Sequence, residues 1–258
     1  MSPAPAGVLL DIDGVLTISW EEIPGASAAV EELRRRGIPF RLLTNTTTHT
    51  RTELARMLEG AGISVRPEEI VTAVVGAAAY LRERHPGARC FLLSDGDATE
   101  DLEGVDLVED DPDVVLIGGA SDDFSYRNVD RAFRLLVGGA SLVAMHRNLY
   151  WRASDGLQLD AGAYVHGLEE AAGVVAVVVG KPAPTFFRAA LDEIGVTPGK
   201  AWMVGDDAEN DVRGAQRLGM TGVLVRTGKF RARDLDVGDA PSRVIDSIAD
   251  LPGLLDAS

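Results

Sequence analysis

The sequence predicts an α/β protein built around a largely parallel β-sheet. Short runs of β-branched or leucine residues alternate with amphipathic, alanine-rich segments along most of the 258 residues. The apolar runs are nearly continuous, which is typical of parallel strands that are covered on both faces. Two helical segments, residues 26–36 and 52–61, each end at a glycine, as expected for a helix C-terminus. A regular alternation of strands and helices of this kind favours a parallel sheet.

The individual elements follow from these local patterns. Residues 8–12 are predicted to be a buried strand, and the first helix, residues 26–36, begins after Pro24-Gly25 and ends at Gly37. No internal repeat, low-complexity tract or polar linker marks a boundary, so one-domain and two-domain organisations both stay open. The remaining strands are expected at 38–43, 89–93, 114–117, 142–145, 174–179, 202–204 and 223–225, and the remaining helices at 52–61, 74–83, 126–137, 163–172, 184–194 and 208–218.

Composition limits the classes of function. The chain has 40 acidic and 25 basic residues, and a net charge of −15 repels nucleic acid and anionic lipid. The N-terminal segment MSPAPAG lacks the basic residues of a secretory signal, and the apolar stretch 174–179 is far too short to span a membrane. The single cysteine, Cys90, lies in an apolar run and is expected to be a buried strand residue. We therefore expect a soluble cytoplasmic protein without nucleic-acid or membrane partners.

Acidic residues follow two of the predicted strands. Asp11 and Asp13 end the first strand, while Asp206 and Asp207 end a later one, with Asp211 about one helical turn further on. Ligands of doubly wound sheets bind outside the carboxyl ends of the strands, where carboxylates repel one another unless a cation is bound. Mg²⁺ prefers a few carboxylates together with water and phosphate oxygens. The structural alternatives are an Asp-Gly turn at the first position and acids that complement a helix dipole at the second.

Two further strand ends carry groups that suit a phosphate. Thr44, Asn45 and Thr46 follow a strand, and such groups bind phosphate oxygens, although they also form helix caps and turns. Lys181 follows another strand and is able to neutralise a transferring phosphoryl group, with a solvent-facing loop lysine as the alternative. The four strand ends together supply what metal-assisted phosphoryl transfer requires. No GxGxxG, P-loop, HExxH or GxSxG motif suggests another chemistry.

Four segments resemble the motifs of the haloacid dehalogenase superfamily, in the order of that superfamily: DIDGVLT, LLTNT, VVGKP and GDDAEND. The long insertion between the second and third is similar to that of the class IIA, or NagD-like, branch. The segment VVVGKPAPTFF resembles its group of phosphatases of the phospholysine phosphohistidine inorganic pyrophosphate phosphatase type. The resemblance covers nearly the whole chain. It implies a Rossmannoid, doubly wound catalytic core formed by residues 1–75 and 175–258, with an inserted α/β cap domain at residues 76–174.

The resemblance also implies roles for individual residues and a Mg²⁺ cofactor. Asp11 would be the nucleophile and a metal ligand, while Asp13 would be the general acid and base and give its backbone carbonyl to Mg²⁺. Lys181 would bridge the nucleophile and the phosphate, and Asp206 would bind Mg²⁺. The implied activity is hydrolysis of a small phosphorylated molecule through an aspartyl-phosphate on Asp11. The other implied residues are Thr44, Asn45 and Thr46 for the phosphoryl group, and Asp207 or Asp211 in support of the metal.

The inserted segment is expected to select the substrate. His146, Arg147, Tyr150 and Trp151 are candidates to reach the site, and the alternative is that Tyr150 and Trp151 pack within the cap or at a dimer face. Caps of this type often make dimers in the family, so a homodimer through the cap is a further expectation. The alternatives for the activity are a phosphomutase or phosphonatase on the same core, or a binding protein without catalysis.

Overall fold

The α/β fold class predicted from the sequence is confirmed. The computed structural model describes residues 4–153 and 156–257, with the backbone alone described at residues 151–153. None of the described helices is long and apolar enough to cross a membrane. The strands are β1 (Gly7–Asp11), β2 (Thr17–Ile18), β3 (Glu21–Glu22), β4 (Phe40–Thr44), β5 (Ile70–Thr72), β6 (Arg89–Leu93), β7 (Asp106–Leu107), β8 (Val114–Ile117), β9 (Ser141–Ala144), β10 (Tyr150–Ala153), β11 (Gly156–Leu159), β12 (Val177–Val178), β13 (Ala201–Gly205), β14 (Thr221–Val225) and β15 (Arg243–Ile245). The helices are α1 (Ala26–Arg35), α2 (Arg51–Gly60), α3 (Ala73–Arg84), α4 (Tyr126–Val137), α5 (Ala161–Ala172), α6 (Pro184–Glu193), the π-helix Ala208–Arg213, α7 (Gly214–Arg217) and α8 (Leu251–Asp256).

The chain folds into two compact units. The first contains the chain up to Thr44, the segment Arg51–Val71 and the chain from Lys181 onwards, and the second contains Asn45–Thr50 and Thr72–Gly180. The second unit is therefore an insertion in the sequence of the first. Each unit has its own β-sheet and its own hydrophobic core. The function of the second unit as a cap stays a prediction.

The first unit is built on a six-stranded sheet in the order β15-β14-β13-β1-β4-β5. Strand β1 is parallel to both neighbours, with Leu9 opposite Met203 of β13 and opposite Arg41 of β4. The chain leaves β1 on one side through β4 and β5 and returns to its other side at β13, which is the doubly wound arrangement. The strand order reverses between β1 and β13, so a ligand site is expected at the carboxyl ends of these two strands.

Strand β1 is buried on both faces, which explains its continuous apolar run. Val8 and Leu10 pack on one face in the cluster that contains Leu33 of α1. Leu9 packs on the other face in the cluster that contains Phe187 of α6. Burying one such aliphatic side chain stabilises the fold by about 1.5–3 kcal/mol. The strand is therefore held firmly where it delivers its last residue to the edge of the sheet.

The second unit has a five-stranded parallel sheet in the order β12-β9-β8-β6-β7. Its central strand, β8, also faces two cores. Val115 and Ile117 pack in the cluster that includes residues of α4 and α5, while Val114 and Leu116 pack in the cluster that includes residues of α3. Strands β10 and β11 form a separate two-stranded antiparallel sheet. Cys90 is buried in β6, as the sequence predicts.

Two predicted elements differ from the structure. The strand predicted at residues 174–179 is reduced to the two residues of β12, which is an edge strand that pairs with β9 only. Val175 is 84% exposed, so this valine run does not reflect burial on two faces. The helix predicted at residues 208–218 begins instead as a π-helix and continues as the short α7.

Candidate active site

Acidic residues meet at the carboxyl edge of the first unit's sheet. Asp11 is the last residue of β1 and Asp206 directly follows β13, so the parallel pairing of these strands brings both side chains to one place. Asp211 joins them from the π-helix. One carboxylate oxygen of each residue lies within 4.8 Å of the others, and all three side chains are buried. Three buried carboxylates at such distances require a counter-charge.

The start of the π-helix decides which later acid joins the cluster. Asp207 caps this helix, because its carboxylate accepts hydrogen bonds from the backbone N–H groups of Glu209 at 3.0 Å and Asn210 at 2.9 Å. Desolvation raises the pKa of Asp207, but these hydrogen bonds and the charge of Lys229 lower it by a larger amount, so its net pKa is below the usual value. Asp211 instead reaches the cluster, and its Oδ2 accepts from the backbone N–H of Asp207 at 3.2 Å.

Lys181 supplies positive charge inside the cluster. The residue is 4% exposed, and its Nζ lies 2.5 Å from Oδ1 of Asp11 and 2.7 Å from Oδ1 of Asp211. It also donates to the backbone carbonyl of Leu43 at 3.5 Å. Desolvation lowers the pKa of Lys181, but the two carboxylates raise it more, and the net pKa is above its usual value. The protonated lysine therefore fixes the orientation of the Asp11 carboxylate.

One ammonium group does not balance three buried carboxylates. Burial raises the pKa of both Asp206 and Asp211, and the charge of Asp11 raises them further. Oδ1 of Asp206 is buried and has no hydrogen-bond partner among the described residues. An unsatisfied carboxylate oxygen beside two other carboxylates suits a hard divalent cation, which takes oxygen ligands. The residues present therefore fit a divalent metal ion.

The sequence prediction omitted one loop that borders the cluster. Thr227, Gly228 and Lys229 follow β14, and the Oγ1 of Thr227 donates to the backbone carbonyl of Gly14 at 2.5 Å. The backbone N–H of Lys229 donates to Oδ2 of Asp206 at 2.6 Å. Gly228 has a φ of +59°, and a β-carbon there would overlap the Asp206 carboxylate, so glycine is required. The available signal was the position of this loop directly after a β-branched run, at the edge where ligands bind.

Asp13 borders the cluster on a side that solvent reaches. It lies two residues after Asp11, and its side chain is exposed. Partial desolvation nevertheless raises the pKa of Asp13, while the charges of Lys229 and, less strongly, Lys181 act to lower it. A raised pKa favours the protonated form of a carboxyl group, which is the form that a general acid requires.

The predicted phosphate-binding residues are divided between the two units. Thr44 is the buried last residue of β4, next to Leu43, which lies opposite Asp11 in the sheet. Asn45 and Thr46 belong to the second unit. The structure thus places Thr44 at the sheet edge that carries the acid cluster. Phosphate binding by these three residues stays a prediction.

The candidate specificity residues lie in the second unit, after β9. His146 is buried, and Arg147 forms an ion pair with Glu169. Tyr150 is 51% exposed, which leaves about half of it open to a ligand or a partner. The side chain of Trp151 lies outside the described residues. The selection of substrate by these residues stays a prediction.

Comparison with known proteins shows the family to which the chain belongs. A family model described as haloacid dehalogenase-like hydrolase matches residues 8–108, and a second, described as HAD-hydrolase-like, matches residues 178–251. A Rattus norvegicus protein named haloacid dehalogenase-like hydrolase domain-containing protein 2 is 41% identical over 227 residues, which cover 88% of this chain and 86% of the relative. The chain belongs to the haloacid dehalogenase-like hydrolase family.

Other relatives of this haloacid dehalogenase-like chain carry phosphatase names. The phospholysine phosphohistidine inorganic pyrophosphate phosphatase of Xenopus laevis is 41% identical over 234 residues, covering 88% of this chain and 85% of the relative. The solved structure of p-nitrophenyl phosphatase from Archaeoglobus fulgidus superposes with a TM-score of 0.91 at 28% identity, covering 99% of this chain and 100% of that one. NagD from E. coli K-12 gives a TM-score of 0.88 at 27% identity, with 96% and 98% covered. The enzyme class predicted from the sequence, a NagD-like phosphohydrolase of this family, is confirmed.

Proposed function

We propose that this protein is a Mg²⁺-dependent phosphatase that transfers the phosphoryl group of a small substrate to Asp11 and then to water. The observation that carries the proposal is the buried contact between Asp11 and Lys181, 2.5 Å long, set beside Asp206 and Asp211. A carboxylate held in one orientation among opposing charges is preorganised for attack on a phosphoryl group.

Asp11 acts in the first step as the nucleophile. A carboxylate oxygen of Asp11 bonds to phosphorus while the bond between phosphorus and the leaving oxygen breaks, and Asp13 gives its proton to that oxygen. Asp13 then takes a proton from a water molecule whose oxygen bonds to phosphorus as the bond to Asp11 breaks. Inorganic phosphate leaves, and both aspartates return to their starting states.

Lys181 serves both steps as a fixed positive charge. Its contacts with Asp11 and Asp211 hold the nucleophile in one rotamer. Because these carboxylates raise the pKa of Lys181, the ammonium stays protonated and offsets negative charge on the transferring group. Because Lys181 is bound to two acids, it stays beside Asp11 when the leaving group departs.

Asp11, Asp206 and Asp211 are the residues that would hold the metal ion. The unsatisfied Oδ1 of Asp206 supports this assignment, and so do the burial and the repulsion by Asp11 that raise the pKa of Asp206 and Asp211. The backbone carbonyl of Asp13 is a further ligand in this proposal. When bound, Mg²⁺ supplies charge that stabilises the phosphoryl oxygens in the transition state.

The names of the relatives support a small phosphorylated substrate. The Xenopus laevis protein is named for phospholysine, phosphohistidine and inorganic pyrophosphate, and the Archaeoglobus fulgidus protein is named for p-nitrophenyl phosphate. The second unit is, in this proposal, the cap that selects among such molecules, with His146 and Arg147 as candidate contacts. A homodimer formed through this unit is part of the same proposal.

Release of phosphate from p-nitrophenyl phosphate tests the proposal. It is measured with Mg²⁺ and with EDTA, for the wild type, for Asp11→Asn and for Asp192→Asn, an exposed aspartate on α6 that serves as the matched control. We expect metal-dependent release from the wild type and from the control, and a loss of at least about 10³-fold in Asp11→Asn. A wild-type rate in Asp11→Asn would contradict the nucleophile. Return of the phosphate to a second hydroxyl group would indicate the phosphomutase alternative.

A further inference from the structure

Lys229 is a second positively charged residue at the acid cluster, and the proposed mechanism assigns it no role. Of the 25 basic residues of the chain, the three lysines are Lys181, Lys200 and Lys229, and the others are arginines. Two of these three lysines lie at the cluster. Lys181 is buried within it, whereas Lys229 is exposed beside it. A lysine ammonium is a compact charge that binds phosphate or carboxylate oxygens directly.

The loop that carries Lys229 is fastened to the site at both of its ends. The backbone N–H of Lys229 is bonded to Oδ2 of Asp206 at 2.6 Å, and Oγ1 of Thr227 is bonded at 2.5 Å to the carbonyl of Gly14. Gly14 is the residue after Asp13. The side chain of Lys229 therefore starts from a fixed point between the metal-binding edge and the turn that holds the proposed general acid.

The side chain of Lys229 is exposed and is accessible to a ligand. Among the described residues it makes no ion pair within 4.0 Å. A lysine side chain has an ordinary pKa of about 10.4, so the group is protonated at neutral pH.

A negatively charged leaving group requires a counter-charge at this place. The proposed reaction puts the leaving oxygen beside Asp13, and the acids around it repel a second anion. Lys181 cannot serve, because it is buried and tied to Asp11 and Asp211. Lys229 has the position, the charge and the exposure to balance an anion there.

We propose that Lys229 binds a negatively charged group on the leaving part of the substrate. The inference rests on the proposed phosphatase function and names its substrate class, which is phosphate esters and anhydrides whose leaving group carries a carboxylate or a further phosphate. The ammonium forms an ion pair with that group and holds the leaving oxygen beside Asp13. A neutral leaving group makes no such contact, so Lys229 is a specificity-determining residue.

Two matched pairs of probes test this inference. The first pair is not hydrolysed: methylenediphosphonate carries a second anionic group and methylphosphonate does not, and calorimetry in the presence of Mg²⁺ gives their Kd values. The second pair is 4-carboxyphenyl phosphate and 4-carbamoylphenyl phosphate, whose leaving groups differ in charge. Wild type, Lys229→Met and Lys229→Arg are compared. Lys200→Met is the control, since Lys200 is an exposed lysine just before β13, at the opposite end of that strand from Asp206.

The readout is the ratio of losses within each pair. Lys229→Met should weaken methylenediphosphonate about tenfold or more beyond its effect on methylphosphonate, as the loss of one charge-assisted contact does. The same variant should lower kcat/KM more for the carboxyl ester than for the carbamoyl ester, and Lys229→Arg should recover part of both ratios. Lys200→Met should leave them unchanged.

The opposing outcomes separate this inference from the function on which it rests. Equal losses for both members of each pair would overturn the role of Lys229 and leave the phosphatase proposal intact. No phosphate release from any ester by the wild type would overturn the phosphatase proposal, whereas the calorimetric pair still reports on Lys229 because it needs no turnover.

Discussion

The two units carry parallel sheets of the same kind, yet the carboxyl ends of their strands differ in charge. In the first unit, β1 and β13 deliver Asp11 and Asp206 to one edge, and Lys181 offsets only part of the negative charge. In the second unit, a polar backbone group at the corresponding edge is paired with a side chain of the same unit. The backbone N–H of Gly119, after β8, donates to Oγ1 of Thr47 at 2.8 Å.

The two units also differ in whether a buried carboxylate has hydrogen-bond partners. Oδ1 of Asp160, in the second unit, accepts from the backbone N–H groups of Ala161 at 2.7 Å and Ala120 at 3.3 Å, so this carboxylate caps α5. Oδ1 of Asp206, in the first unit, has no partner among the described residues. The difference teaches that a strand edge can bind a cation where its buried carboxylates are not fully balanced by the protein itself.

The largest expected effect is at Lys181. In Lys181→Met the buried acids Asp11 and Asp211 lose their partner, so the free energy of unfolding should fall by about 3–5 kcal/mol and turnover by at least about 10³-fold. Urea unfolding and hydrolysis of p-nitrophenyl phosphate measure the two effects, with Lys200→Met as the control. Unchanged stability would break the contrast, because the first unit's ion pairs would then contribute nothing.

Asp206→Asn should separate metal binding from folding. Because burial and the charge of Asp11 raise the pKa of Asp206 to about 8, ionisation of this carboxyl group is unfavourable in the metal-free folded protein at neutral pH, and the variant should be more stable by on the order of 1 kcal/mol. Mg²⁺ should raise the melting temperature of the wild type and have little effect on the variant. Thermal unfolding with Mg²⁺ and with EDTA measures both, with Asp192→Asn as the control. A full Mg²⁺ response in Asp206→Asn would place the cation elsewhere.

Removing the buried acid of the second unit should change stability in the opposite direction. Asp160→Ala deprives α5 of its cap, so the free energy of unfolding should fall by about 0.5–2 kcal/mol. Asp160→Asn keeps an acceptor at the same place and should lose less. The effect of Mg²⁺ on the melting temperature should be unaltered in both variants, and a gain in stability in Asp160→Ala would contradict the contrast between the units.

The smallest effect concerns Cys90, a buried group of the second unit that stays neutral. Burial, followed by the charges of Asp113 and Asp106, raises the pKa of its thiol to about 11. The thiolate is the reactive form, so at pH 8 the folded protein should react very slowly with a disulfide reagent and faster as the pH rises. Reaction with Ellman's reagent, compared with the urea-unfolded protein, measures this. A folded protein that reacts as fast as the unfolded one would contradict the buried, neutral thiol.

Where the local pattern decides the structure, the sequence predicts it closely. The strands at 89–93 and 114–117 and the helix at 126–137 have the bounds that the apolar patterns indicate. The valine run at 174–179 misleads because a pattern does not reveal whether a strand lies at the centre or at the edge of a sheet. Only its pairing with β9 alone makes most of this run exposed.

The site shows the same division between local and tertiary information. Asp11 and Asp206 are predictable as neighbours because each ends an apolar strand of a parallel sheet. The choice between Asp207 and Asp211 depends on the π-helix, whose start takes up the Asp207 carboxylate. The place of Lys229 beside the cluster depends on where β14 lies in the sheet and on a backbone contact with Asp206. The local pattern shows only that a loop follows an apolar strand.

The most direct measurement is the location of the phosphoryl group in a trapped reaction. In Asp13→Asn the leaving group of p-nitrophenyl phosphate departs without a proton, but no base remains to activate water, so the covalent intermediate should accumulate. After an acid quench, mass spectrometry of the peptides should find one added phosphoryl group on Asp11, absent when Asp11→Asn is also present. A phosphoryl group on another residue, or phosphate release by the wild type with none found on Asp11, would contradict the mechanism.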